Sequence, residues 1–250
     1  DKSHVLMAIS AILIVIFFVP YTASGFAACG KLFSTLFDIP YIPAMLFSAV
    51  IIVAYTALGG FLAASTTDLV QSIVMTLALL IVVFFGISQA GGLDMVLTNA
   101  ESLAGYMSMF STHDAATGAA VPHSALTIAS TLAWGLGYFG MPQVLLRFMA
   151  IRKSSEIKKS RRIAIIWCVI SLAAAVFIGV IGRNLYPTEL LTKSSAENIF
   201  ILLSTRLLPP LLAGVVMAGI LAATMSSSDS YLLIAASAFS KNIYQGVCKK

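Results

Sequence analysis

Residues 5–26, 41–60 and 163–182 contain no Asp, Glu, Lys or Arg, and 68–89, 124–149 and 209–238 contain one each. About 20 apolar residues suffice for a helix to cross the hydrocarbon core of a bilayer. Each of these six segments is therefore long enough to span. A span must satisfy its backbone polar groups internally, and a helix does so by itself. Composition agrees with this reading. Hydrophobic residues make up 59% of the 250-residue chain and charged residues 10%, with a mean hydropathy of +0.97. A soluble domain carries about a quarter charged residues to wet its surface. A water-soluble enzyme, a disordered chain and a disulfide-stapled secreted module are all excluded. The expected fold is an all-α integral membrane domain occupying residues 1–250.

The net charge of +5 does not mark a nucleic-acid partner. Arg152, Lys153, Lys158, Lys159, Arg161 and Arg162 crowd between two apolar runs, the pattern of a cytoplasmic loop. Alternation from that loop places 27–40, 90–123 and 183–208 outside, and 60–67 with both chain ends inside. Lys241, Lys249 and Lys250 in the tail agree, while Lys193, Arg183 and Arg206 are offset by Glu189 and Glu197. The location expected is the cell membrane. Cys29, Cys168 and Cys248 fall at three different depths and need no disulfide. With neither an initiator Met nor a signal-peptide pattern before the first apolar run, the chain reads as an excerpt of something longer. The 90–123 loop holds His113 and His123, whose spacing matches no metal site. A short amphipathic helix is expected from Ala196 to Leu208.

Chemistry is concentrated in three places. Trp134-Gly-Leu-Gly-Tyr-Phe-Gly-Met-Pro142 puts three glycines and a proline inside the fourth segment. Glycine costs about 1 kcal/mol in a helix interior and proline about 3, so this span is built to unwind. An unwound midpoint frees backbone groups for a polar substrate, as transporters require; a kinked helix with small packing residues is the plainer alternative. In Ala222-Ala-Thr-Met-Ser-Ser-Ser-Asp-Ser230, residues Ala223, Ser226, Ser227 and Ser230 form one stripe at helical spacing. Its hydroxyls suit a hard cation, or they bond back to carbonyls one turn earlier. Asp229 lies inside the same span, where a carboxylate is functional by default. It either takes up a proton or is held ionised by a cation, unless it points into a cytoplasmic vestibule as a solvated charge. Third, Tyr55–Gln71 joins two spans: Gly59-Gly60 ends one helix, and Asp68 with Gln71 resembles a capping box opening the next. No HExxH, P-loop, nucleophile elbow or Cys/His cluster appears, so the chain is not expected to be an enzyme.

These residues resemble a known family. The Tyr55–Gln71 string is similar to the motif of the sodium:solute symporter family. Gly135-Leu-Gly-Tyr-Phe-Gly-Met-Pro-Gln143, then Arg147-Phe-Met-Ala150, resembles its sodium/proline branch, and Ala222–Ser230 fits as well. Met141 departs from the pattern where a glutamine is expected, and Asp229 where small or hydroxyl residues are usual. The resemblance implies a LeuT-type fold of two inverted five-helix repeats, these segments being its third to eighth core helices, with the other helices outside the 250 residues. It implies sodium-coupled symport of a small amino acid, proline in that branch, across the lipid bilayer. It also implies a sodium ion held by the Ala223 carbonyl with Ser226 and Ser227, and a second cation site from Asp68, Asp229 and Ser230. For substrate it implies Tyr21, Trp134, Tyr138 and Pro142. The alternative is a sensory module, since symporter-like helices also front some membrane signalling proteins.

Overall fold

The computed structural model describes residues 4–189, 192 and 196–248, the side chains of 247 and 248 excepted. Helix α1 spans His4–Phe37 and α2 Tyr41–Gln89. After them come α3 (Leu93–Ser102), a short hairpin of β1 (Ser111–His113) and β2 (Ala120–Pro122), α4 (Ala125–Gly137) and α5 (Pro142–Met149). Helices α6 (Ile157–Leu185), α7 (Ile199–Leu207) and α8 (Pro210–Ser237) follow, and α8 continues as a π-helical stretch over Ala238–Cys248. Lys193, Lys249 and Lys250, used above to argue orientation, lie outside the described residues.

Among the described residues, four helical stretches are long and apolar enough to cross a membrane: His4–Phe37, Tyr41–Gln89, Ser154–Leu185 and Pro210–Gly246. The six apolar segments map onto them with two differences. Segments 41–60 and 68–89 share the 49-residue α2, and the 124–149 segment divides into α4 and α5. The 60–67 stretch, expected as a link, is helical from Phe61 onward. Gly60 alone absorbs the break, at φ 55 and ψ −146, a region of backbone space that is essentially glycine's. Thr66 and Thr67 then donate to the Leu62 and Ala63 carbonyls, so the helix resumes at once. The capping box is accordingly absent. Asp68 sits inside a helix rather than at its start, and the Gln71 Oε1 is buried with no hydrogen-bond partner among the described residues.

The chain divides into two compact units, 1–75 with 218–250, and 76–217. In the first, α1 pairs antiparallel with α8. Gly246 meets Met7, Phe18 packs on Tyr231, Ile234 and Ala235, Gly25 abuts Ser228, and Cys29 Sγ lies 3.1 Å from Thr224 Oγ1. Small residues let the backbones approach closely midway along the pair. Helix α2 adds a buried stripe at four-residue spacing, Ala44, Ser48, Ile52 and Thr56.

The second unit has its own apolar core of Ala78, Val82, Val96, Ile178, Ile181, Leu203, Leu208 and Val216. Gly86 leaves room for Ile181, and Trp167 Nε1 donates to Thr76 Oγ1 at 2.8 Å. Between α2 and α4, the expected loop contains α3 and the hairpin. The hairpin tip is held by Asp114, which accepts from the Ala116 amide and the Thr117 hydroxyl. Those donors, the Ala116 amide foremost, keep its carboxyl below the usual carboxylate range.

Candidate functional site

Exposure changes along the sixth apolar segment. Ser226 is half-buried and Ser227 exposed. The Ser227 hydroxyl donates to the Ala223 carbonyl at 3.2 Å, and Thr224 and Ser228 bond back one turn in the same manner. The next three residues, Ser228, Asp229 and Ser230, are buried. Ser230 keeps the azimuth of Ser226 and Ser227, three and four residues earlier on the same helix, but is buried where they are not. Its hydroxyl turns to Asp229 Oδ1 at 3.2 Å.

Asp229 is 0% exposed, which excludes a charge solvated in a vestibule. Tyr55, on α2, donates its hydroxyl to Asp229 Oδ2 at 2.8 Å. Asp68 lies near enough for its charge to act on both Asp229 and Tyr55. The structure thus brings Tyr55 of α2 to Asp229 and its neighbour Ser230 on α8, with Asp68 of α2 within electrostatic reach. Sequence reasoning missed Tyr55 as a site residue. Its one signal was a phenol inside an otherwise apolar span, where a buried hydroxyl finds a partner.

The fourth segment breaks where its glycines and proline stand. Ser124 caps α4 by accepting from the Thr127 amide at 3.1 Å. The helix stops at Gly137, a single 3-10 turn covers Tyr138–Gly140, Met141 is extended, and α5 restarts with Pro142 in its first turn. Proline there loses no hydrogen bond, since the first amides of a helix have no partner inside it. Trp134 and Tyr138 meet edge-on, ring centroids 6.2 Å apart. They are 74% and 54% exposed. Beside them Gln143 Oε1 is buried with no hydrogen-bond partner among the described residues. Tyr21 belongs to the first unit, where its ring lies 5.0 Å from that of Tyr231 on the serine helix.

Long apolar helices, one of them broken at a glycine, with a buried carboxylate between helices, define a multi-pass membrane protein. The chain belongs to the sodium:solute symporter family, whose model matches residues 1–250. It is 37% identical over 245 residues to the sodium/proline symporter 2 of Staphylococcus saprophyticus, covering 98% of this chain and 46% of that protein. It is 36% identical over 249 residues to the osmoregulated proline transporter OpuE of Bacillus subtilis, covering 100% and 49%. A sodium/proline symporter of Staphylococcus aureus is 35% identical over 245 residues, covering 98% and 46%. The chain spans about half the length of the curated relatives it matches.

Proposed function

We propose that this chain forms part of a sodium-coupled symporter that imports a small amino acid, proline above others, by alternating access. The names of the relatives support the coupling ion and the substrate class. The observation that carries the reading in the structure is the break at Tyr138–Met141. It interrupts the regular helix beside two rigid aromatic walls, which suits a compact apolar ring with a charged end.

In this reading the segments are the third to eighth helices of a LeuT-type core of inverted repeats, six spans with both ends cytoplasmic in the cell membrane. The remaining core helices of the full-length protein complete the sites. Tyr21, Trp134, Tyr138 and Pro142 serve the substrate. The Ala223 carbonyl with the Ser226 and Ser227 hydroxyls serves one sodium ion. Asp68, Asp229 and Ser230 serve a second cation, for which a buried carboxylate flanked by a second carboxylate and a hydroxyl supplies hard oxygen ligands. Sodium bound to the serine helix favours the outward-open state and pre-forms the substrate pocket, so the two ligands bind cooperatively.

The test is uptake of labelled proline by the full-length protein in proteoliposomes under an inward sodium gradient. Uptake that rises with sodium and collapses when the gradient is dissipated is the expected result. Binding of proline without movement across the bilayer would instead place the protein in the sensory class.

A further inference from the structure

We infer that Tyr55 is a positioning residue for the Asp229 carboxylate, an inference that rests on the second cation site proposed above. Asp229 Oδ2 accepts from the Tyr55 hydroxyl at 2.8 Å and Oδ1 from the Ser230 hydroxyl at 3.2 Å. Ser230 is the next residue on the same helix and moves with Asp229. Tyr55 comes from α2, so its hydrogen bond ties the carboxylate to a second element. Asp229 is fully buried, and the phenol supplies what solvent supplies to an exposed carboxylate.

The chemistry of the pair favours positioning over competition. An ionised carboxylate offers about four lone-pair sites, more than the Tyr55 and Ser230 donors occupy. A cation approaching Asp229 therefore finds the group oriented and still able to ligate. A tyrosine suits this task because its ring is stiff and its reach fixed. Tyr55 also adjoins Thr56 in the buried stripe of α2, which holds its backbone in place. Its position matters further: Tyr55 precedes the Gly60 break and Asp68 follows it. The two stretches of α2 thus contribute differently to one carboxylate, a hydrogen bond from the first and a charge from the second.

The experiment compares Tyr55→Phe, Asp229→Asn and the double variant of the full-length protein in proteoliposomes, with Tyr55→Met as a second variant lacking the donor. Loss of one hydrogen bond to a charged group predicts an increase of about tenfold in the sodium concentration for half-maximal proline uptake. The proline KM at saturating sodium should move less than about twofold. In the Asp229→Asn background, Tyr55→Phe should add almost nothing, because the two act as one unit. A readout independent of transport is the rise in melting temperature with sodium in detergent, which the Tyr55 variants should shift to higher sodium. If Asp229→Asn alters the sodium dependence while both Tyr55 variants leave it unchanged, Tyr55 merely packs and the inference is overturned with the cation site intact. If Asp229→Asn itself leaves sodium dependence unchanged, the cation site falls and the inference with it.

Discussion

The Ser227 hydroxyl lies 3.2 Å from the Ala223 carbonyl oxygen one turn earlier, so two oxygens proposed for a single sodium ion are already neighbours. The hydroxyl keeps its lone pairs while it donates to the carbonyl, so back-bonding leaves the serine oxygen able to ligate. Ser226→Ala and Ser227→Ala keep volume and favour helix, so folding should survive. Each should raise the sodium needed for half-maximal uptake severalfold. Cys at either position should impair as well, sulfur being a poor ligand for a hard ion. Normal sodium dependence in both Ala variants would leave these serines a purely structural role.

Tyr138 stands at the break with its ring against Trp134. Tyr138→Ala removes a wall of the proposed pocket and leaves the serine helix untouched. The apparent proline constant should rise about tenfold, equivalent to about 1.4 kcal/mol, with a far smaller change in the sodium constant at saturating proline. Uptake measured across a grid of both concentrations separates the two, and an unmoved proline constant would remove Tyr138 from the pocket.

Gly25 is required by the approach of α1 to α8. A Cβ there would strike Ser228 Oγ and crowd its Cβ. Overpacking of this kind costs about 1–3 kcal/mol, so Gly25→Ala should lower the melting temperature in detergent. Ser228→Ala removes the nearer atom and should restore part of the loss in the double variant. Full additivity of the two changes would show that the helices meet elsewhere.

Gly60 presents a different case. A Cβ there meets nothing within 4 Å, yet the backbone lies at φ 55. Gly60→Ala should therefore destabilise through conformation alone, by about 1–2 kcal/mol. A melting temperature equal to the parent's would mean that α2 has no break at this residue.

How far the sequence disclosed this arrangement depended on the range of the interaction. The apolar segments and the interruption of the fourth one are local: missing charges, glycines and a proline act within a turn or two, and their consequences follow from spacing. Asp229 was conspicuous for the same reason, as a carboxylate among apolar neighbours. The link at 60–67 was misjudged because Gly59-Gly60 resembled a helix end, whereas one glycine accommodates the break and threonines bonding to their own helix restore it immediately. Tyr55 escaped notice because its partner lies 174 residues away, and no local pattern encodes such a pairing. Ser230 shares the azimuth of Ser226 and Ser227, as its spacing predicts, while its hydroxyl turns to the carboxylate beside it, a pairing the stripe alone does not reveal.

The close contact of Gly25 with Ser228 also has a mechanical meaning. Ser228 stands between Ser227 and Asp229, so the tightest point of the α1–α8 pair adjoins residues of both proposed cation sites. Such a point acts as a fulcrum. If α8 tilts against α1, residues next to the fulcrum travel least and the arms beyond it travel most, toward Pro210 on one side and the Met7–Gly246 contact on the other. Oxygens proposed to surround an ion would thereby sit at the still point of the lever, while displacement along the helix grows with distance from it.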